Sequence, residues 1–168
     1  MTPTGMMPLD EMRVQLQQYS DRKRPLVVAV GGAYGFLRGL LGPERLSLMF
    51  LDDPGLIHDM MTWQLQRAQL ELFPVIEAVL PEIVQMGEDL CYNHGMLLSP
   101  AFFHEFCGQY YREICSFAQS CEILLIAVNT NGNIMEFAEV ATSYGVNGLF
   151  PCEVKAENDL LELRTRFP

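Results

Sequence analysis

Hydrophobic residues along the chain fall into two alternating patterns. Short apolar runs rich in branched side chains are typical of buried strands in a parallel sheet. Longer segments, in which apolar residues recur every three or four positions, are typical of amphipathic helices. Strands are predicted at 26–30, 82–86, 123–128 and 146–150. Helices are predicted at 8–20, 33–41, 44–50, 54–81, 100–117, 134–144 and 158–166.

The two longest predicted helices carry clear start signals. Asp53 precedes Pro54 in one, and Ser99 precedes Pro100 in the other. Asp and Ser are favourable N-caps, and proline suits the first helical position. Pro74 lies late in the first helix, so we expect a kink there. The apolar stripe of the second helix is interpreted as core rather than as a stacking surface for bases, and it comprises Phe102, Phe103, Phe106, Tyr110, Ile114 and Phe117.

The predicted elements repeat the order strand then helix four times. This alternation predicts an α/β architecture with a parallel sheet. A length of 168 residues corresponds to one ordinary domain. The chain shows no break in composition that would mark a second domain.

The composition excludes several function classes. Lys and Arg number 11 against 21 Asp and Glu, which gives a formal charge of −10 and argues against binding of nucleic-acid phosphates. Apolar residues make up 49% of the chain, so it is not disordered by composition. The longest apolar run, 123–128, is far too short to span a membrane. The first residues lack the pattern of a signal peptide, and we expect a cytoplasmic protein.

Five cysteines are present, an odd number with no CxxC pair. This pattern predicts neither a disulfide framework nor a zinc ribbon. Cys107 and Cys115 are eight residues apart in a predicted helix, which suits buried thiols in a reducing compartment.

Polar residues directly follow each predicted strand. Because the carboxyl ends of parallel strands meet at one edge of a sheet, these residues should converge. The groups are the turn 31–35 with Tyr34, then Glu88, Asp89, Tyr92 and His94, then Asn129 and Asn131, and lastly Cys152 and Glu153.

Each of these groups also has a structural interpretation. The glycines of 31–35 lack the spacing of a phosphate loop, and a tight turn with close helix packing is favoured. Glu88 and Asp89 are adjacent, so at most one faces a site, where it would act as an acid or base. His94 could act as a base or a ligand, but no second histidine lies near it in the sequence, so a structural role is favoured. Nothing in the sequence near Cys152 would activate its thiol as a nucleophile.

Five sequence blocks in order resemble the uroporphyrinogen decarboxylase superfamily, which includes corrinoid methyltransferases. The resemblance covers about residues 25–168. The blocks are Gly87-Glu88-Asp89, the helix start at 98–103, the loop 131–134, the pair of segments 145–148 and 151–153, and the end of the chain at 159–164.

The resemblance implies a TIM-type (β/α)8 barrel with its site at the carboxyl ends of the strands. This chain would form a single partial domain over residues 1–168, with a helix and lead-in over 1–24 and about four βα units over 25–168. The family's sections that carry its substrate-binding arginines, its catalytic aspartate and its late histidine or cysteine have no counterpart here.

The resemblance also implies roles for the strand-end residues. Uroporphyrinogen decarboxylases use no metal and no organic cofactor, and a carboxylate stabilises the cationic intermediate. Asp89, with Glu88 beside it, is the candidate for that carboxylate. Arg38 would pair with a substrate carboxylate. Methyltransferase members carry a His-x-Cys zinc pair where this chain has amides, so no metal is expected. The other substrate-binding candidates are Tyr34, Tyr92, Asn129, Asn131 and Glu153.

Three functions remain open at this point. The first is metal-free decarboxylation of a porphyrin precursor or related carboxylated substrate, a lyase reaction, although we expect that this chain alone does not decarboxylate uroporphyrinogen. The second is a corrinoid-type methyltransferase relative. The third is a non-catalytic half barrel that binds a tetrapyrrole or a partner. Four strands cut from a barrel leave two free edges, so a homodimer or a separate barrel half is expected to complete it.

Overall fold

The computed structural model describes residues 8–17 and 23–167, and it has an α/β architecture. The helices are α1 Leu9–Gln17, α2 Ala33–Leu41, α3 Pro43–Asp52, α4 Pro54–Arg67, α5 Phe73–Val79, α6 Pro100–Phe102, α7 Gly108–Ser120, α8 Met135–Thr142 and α9 Leu160–Arg166. The strands are β1 Val27–Gly31, β2 Ile83–Gly87, β3 Cys91–Tyr92, β4 Gly95–Met96, β5 Leu125–Asn129 and β6 Gly148–Phe150.

Four strands form one parallel sheet whose spatial order follows the order along the chain, β1-β2-β5-β6. A doubly wound sheet reverses its order at a switch point, whereas this sheet does not. Right-handed crossovers between neighbouring strands in sequence place all the connecting helices on the same face. The predicted α/β class and parallel sheet are therefore confirmed.

Burial along the strands shows that the helices cover one face of the sheet. The covered face lies in the hydrophobic core and includes Val30, Val84, Met86, Ile126 and Val128. We call the opposite face of the sheet the open face. Its residues are partly or fully exposed, except Ala127, which is buried. They are Val27, Ala29, Gly31, Ile83, Gln85, Gly87, Leu125, Ala127, Asn129, Gly148 and Phe150. Parallel sheets are normally buried on both faces, so half of the expected cover is absent from the described residues.

The aromatic stripe of α6 and α7 packs into the core, as the sequence predicts. Phe103, Phe106, Tyr110 and Ile114 are buried, and Phe102 and Phe117 pack against them. The ring of Phe103 meets Tyr111 edge to face at 4.9 Å, which is a favourable aromatic geometry.

Both predicted N-caps are present. The Asp53 Oδ1 atom accepts a hydrogen bond of 3.0 Å from the Leu56 N–H, and α4 begins at Pro54. The Ser99 Oγ atom accepts a bond of 3.3 Å from the Phe102 N–H, and α6 begins at Pro100.

Several boundaries differ from the predicted ones, and proline accounts for the largest difference. The predicted helix 54–81 divides at a π-helical turn, Ala68–Leu72, directly before Pro74. Proline has no N–H to offer the carbonyl four residues earlier, and its ring crowds that carbonyl, so the helix widens there. A second π-helical turn, Phe103–Cys107, separates α6 from α7.

The third strand begins two residues later than predicted, because the residues before it take part in the turn that ends α7. Glu122 adopts the left-handed conformation with φ of 57°, and the Ile123 N–H donates to the Ala118 carbonyl at 3.1 Å. Such bonds satisfy the last helical carbonyls. The hairpin of β3 and β4 is an element that sequence periodicity misses, because each strand has only two residues.

None of the helices in the described part of the chain has the length and apolarity needed to cross a bilayer. All five cysteines are free thiols, and the two predicted to be buried, Cys107 and Cys115, are buried. The predicted helix 8–20 is seen as α1, whereas its last three residues lie outside the described residues.

Candidate functional site

The carboxyl ends of the parallel strands lie in one row, which we call the carboxyl edge. Gly31, Gly87 and Asn129 are register partners across three strands, and Phe150 of β6 pairs with Asn129. The residues that follow each strand therefore gather at the same edge of the sheet, as the sequence predicts.

Glu88 points away from this edge into the protein interior, with 6% of its surface exposed. Its Oε1 atom accepts bonds from the Ala33 N–H at 2.6 Å and from the Tyr111 hydroxyl at 3.0 Å. Its Oε2 atom accepts a bond of 2.6 Å from the Gly35 N–H. The carboxyl group thus occupies the N-terminus of α2, where free N–H groups attract an anion.

Burial raises the pKa of Glu88 to about 7, while the hydrogen bonds from Gly35, Ala33 and Tyr111 act to lower it. A carboxyl group with this pKa is suited to proton transfer near neutral pH. Its burial, however, keeps it from a ligand at the carboxyl edge. We interpret Glu88 as a positioning residue that joins β2 to the turn before α2.

The turn 31–35 is held by close packing, in agreement with the structural interpretation of its glycines. A Cβ atom on Gly32 would overlap the Gly87 carbonyl and the Glu88 carboxyl group. A Cβ atom on Gly35 would lie 2.8 Å from the same carbonyl oxygen. The absence of side chains lets the turn approach β2 closely enough for Glu88 to reach both amides.

Asp89, the neighbour of Glu88, faces the surface and forms an ion pair with Arg38 of α2 at 2.7 Å. The Arg38 guanidinium also donates to the Asp89 carbonyl at 3.2 Å. The Arg38 side chain is 35% exposed, and the Asp89 side chain is 50% exposed. An exposed pair of this kind contributes little to stability, so a ligand carboxylate can replace Asp89 as the partner of Arg38.

Tyr34 is packed in the core with 2% of its surface exposed. Burial raises its pKa, and the Arg38 guanidinium lowers it. The hydroxyl therefore stays protonated over the physiological range. Arg38, one turn along α2, is much more accessible to a ligand than Tyr34 is.

The β3–β4 hairpin places Tyr92 and His94 beside the loop after β5. The Asn133 N–H donates to the Tyr92 carbonyl at 2.8 Å. Tyr92 is 47% exposed, and its ring meets the His94 ring edge to face at 5.7 Å. Gly132, with φ of +91°, allows the loop to pass close to the Tyr92 backbone.

Thr130 holds the start of this hairpin in place through two hydrogen bonds. Its buried Oγ1 atom accepts bonds from the Leu90 N–H at 3.0 Å and the Cys91 N–H at 3.2 Å. Sequence reasoning did not identify Thr130, since a single threonine after a strand carries no distinctive pattern.

We expect Thr130→Val to destabilise the fold by about 2 kcal/mol, because two buried N–H groups lose their acceptor. Thr130→Ser keeps the hydroxyl and is expected to cost less than half as much. Urea unfolding of the three proteins measures the difference. Equal losses in both variants would contradict the role of the hydroxyl.

The remaining predicted residues surround the loop after β5. The side chain of Asn129 lies on the open face, and its carbonyl accepts a bond of 2.8 Å from the Glu88 N–H. Asn131 is exposed. Glu153 accepts a bond of 3.1 Å from the Gly132 N–H, which ties the end of β6 to this loop.

Cys152, which precedes Glu153, lines a groove beside β6 and α9. Burial raises the pKa of its thiol, so it is not activated as a nucleophile. No group of three or more His, Cys, Asp or Glu side chains in residues 8–17 and 23–167 is placed to hold a metal ion.

The carboxyl edge therefore combines one arginine–aspartate pair with exposed aromatic and amide side chains. Its partly or fully exposed members include Arg38, Asp89, Tyr92, His94, Asn129, Asn131 and Glu153. Comparison of the chain with protein-family models and with curated proteins gave no match.

Proposed function

We propose that this chain is part of a (β/α)8 barrel of the uroporphyrinogen decarboxylase type, and that its carboxyl edge binds a carboxylated, tetrapyrrole-like small molecule. The observation that carries the proposal is the half-exposed pair of Arg38 and Asp89 at this edge. A guanidinium held there by a replaceable carboxylate is suited to exchange that carboxylate for one on a substrate.

The sheet supports the barrel part of the proposal. Its strands are parallel, follow one another in chain order and are covered by helices on one face only. This is the arrangement of strands within a closed βα barrel, in which the uncovered face lines the interior. Ligands of such barrels bind at the carboxyl ends of the strands, where the candidate residues lie.

If a ligand carboxylate replaced Asp89 as the partner of Arg38, the Asp89 carboxylate would also be released. The freed carboxylate can accept a hydrogen bond from a pyrrole N–H, or stabilise positive charge that develops on a protonated ring. Glu88 contributes indirectly, since it holds the turn from which α2 and Arg38 project.

For the decarboxylase reaction that the resemblance implies, the substrate ring takes up a proton and the bond to an acetate carboxylate then breaks. Carbon dioxide leaves, and the bonding electrons return to the ring. Within the described residues Asp89 is the carboxylate best placed to stabilise the cation, because Glu88 is enclosed. Tyr92, Asn129 and Asn131 would orient the substrate by hydrogen bonds.

The proposal is tested by calorimetric titration of the purified chain with uroporphyrin, a stable polycarboxylated analogue. We expect saturable binding that Arg38→Gln weakens about 10- to 100-fold, because a charge-assisted bond to a carboxylate is lost. Arg45→Gln is the matched control, since Arg45 is an exposed arginine on α3. It should bind as the wild type does.

Absence of binding by the wild type, or equal binding by Arg38→Gln, would overturn the proposal. The same samples, supplied with the reduced substrate uroporphyrinogen, are followed for carbon dioxide. We expect binding without steady release, because each chain brings only one described arginine to this edge for a substrate with eight carboxylates.

A second candidate, a non-catalytic tetrapyrrole-binding half barrel, is favoured by one specific observation. The two carboxyl groups that would perform acid–base chemistry are engaged, Glu88 with backbone amides and Asp89 with Arg38. Binding without turnover would support this candidate, and steady turnover would support the decarboxylase. No observation favours the corrinoid-type methyltransferase alternative.

A further inference from the structure

Both outer strands of the parallel sheet have a free edge within the described residues. The Ile83 N–H donates to the Leu26 carbonyl at 3.1 Å. The backbone N–H and C=O groups of the even-numbered residues of β1 therefore point toward β2. Backbone groups of successive residues point to opposite sides of a strand, and those of Val27 and Ala29 therefore face outward. The Gly31 carbonyl, also outward, accepts a bond of 2.6 Å from the Tyr110 hydroxyl.

The outer edge of β6 is equally free of a strand partner in the part of the chain described here. The backbone of Phe150 faces β5, since its carbonyl accepts a hydrogen bond of 2.9 Å from the Thr130 N–H. The backbone of Leu149 consequently faces outward, where the Cys152 thiol is 3.8 Å from its carbonyl. A parallel edge of this kind is a template for a further parallel strand.

An apolar groove of about 540 Å³ lies beside the free edge of β6, on the side of the sheet that the helices cover. Its apolar lining includes Ile134, Val146, Leu149, Leu160 and Leu163. Leu160, which lines this groove, and its neighbour Leu161 are large exposed apolar side chains. Exposed apolar side chains beside a groove are suited to be covered by another protein surface.

We propose that a second copy of this chain covers these surfaces and completes an eight-stranded parallel barrel. A two-fold axis along the barrel would place β6 of each copy beside β1 of the other, in the parallel direction. Both edges of both copies would then be paired, and this symmetric closure leaves no free edge. Eight strands are also the number at which inward side chains just fill a barrel interior.

The side chains of the open face agree with this occupant. The middle row has three small residues and one glutamine, with Ala29, Gln85, Ala127 and Gly148 as register neighbours, and the row formed by Val27, Ile83 and Leu125 is apolar and larger. Two such half barrels facing each other would form an interior of packed rows, as closed βα barrels have.

The second copy would also complete the carboxyl edge. The two-fold axis brings both carboxyl edges to the same end of the barrel, so each copy contributes its Arg38 and Asp89 to one mouth. A substrate with several carboxylates would then meet two arginines. This consequence rests on the proposed function, whereas the closure of the barrel does not.

Light scattering on a sizing column tests the proposal, with Ala29→Glu as the decisive variant. Ala29 is exposed on the open face of a single chain, so a charge there should leave the fold of that chain intact. In the closed barrel the same side chain would be an unpaired buried charge, which we expect to weaken dimerisation about 100-fold or more. Ala101→Glu, at an exposed alanine of α6, is the matched control with the same change of charge.

We expect wild type and Ala101→Glu to elute with twice the mass of one chain, and Ala29→Glu with the mass of one chain and an unchanged circular dichroism spectrum. A monomeric or aggregated wild type would overturn the proposal and favour a different stretch of protein as the cover. A dimer that survives Ala29→Glu would also overturn it. Neither result depends on uroporphyrin binding, so this proposal can fail independently of the proposed function.

Discussion

Gly32→Ala is expected to destabilise the protein by about 3 kcal/mol or more, because the added methyl group has no space. Its Cβ atom would overlap the Gly87 carbonyl, which belongs to the backbone of β2 and cannot rotate away. It would also lie 2.6 Å from the Glu88 Oε1 atom. The backbone of Gly32 is in the extended region, with φ of −76°, so contact rather than dihedral strain is the cause.

Gly39→Ala is the matched control for this prediction. Gly39 is exposed on α2, seven residues further along, and a Cβ atom there would meet nothing within 4 Å. Alanine is the better helix former, so we expect Gly39→Ala to stabilise the protein by about 0.5–1 kcal/mol. Urea unfolding at one pH measures both. If Gly32→Ala proved neutral, the close approach of the turn to β2 would be wrong.

The second large effect is a loss of stability as pH rises, caused by Glu88. Burial raises the folded-state pKa of this carboxyl group from the ordinary 4.5 to about 7. Between these values the folded chain holds a proton that the unfolded chain has released. The stabilisation is therefore complete below pH 4.5 and is lost as pH rises through 7, by about 3 kcal/mol in total.

Glu88→Gln isolates this contribution from the other titrating groups. Glutamine does not ionise, and its NH₂ group cannot accept the bond from one of the Ala33 and Gly35 amides. We expect the variant to be less stable than the wild type at pH 4.5, by about 1–3 kcal/mol. The difference should shrink steadily towards pH 8, as the wild type loses its advantage.

The measurement is urea unfolding of wild type and variant at intervals from pH 4.5 to 8. Glu77→Gln, at an exposed glutamate of α5, is the control and should run parallel to the wild type over this range. A wild-type advantage over Glu88→Gln that grew with pH would show that the carboxylate form is the stabilised one. The sign of the slope therefore decides between a protonated and an ionised carboxyl group in the core.

These two residues connect stability to the candidate site. Gly32 gives the turn its close approach, and Glu88 then holds the turn through its amides. Arg38 lies on the helix that begins at this turn, where it meets Asp89. A change at either residue is expected to shift Arg38 and so to reach the carboxyl edge without touching a ligand.

Local patterns in the sequence were sufficient for the four parallel strands and for most of the helices, in their order along the chain, but not for the β3–β4 hairpin. The caps at Asp53 and Ser99, the apolar strands and the aromatic stripe all depend on residues within a few positions of one another, and the structure confirms them. The α/β class and the gathering of strand-end residues at one edge follow from that order alone.

Only the tertiary structure decided which of the strand-end side chains face outward. Glu88 and Asp89 are neighbours in sequence, yet one is enclosed by Ala33, Gly35 and Tyr111 while the other meets Arg38 at the surface. These partners come from elements separated along the chain by more than 20 residues, and no local pattern encodes such contacts. The roles of Thr130 and the β3–β4 hairpin have the same origin, because a buried hydroxyl acquires its significance only from the distant amides that fold onto it.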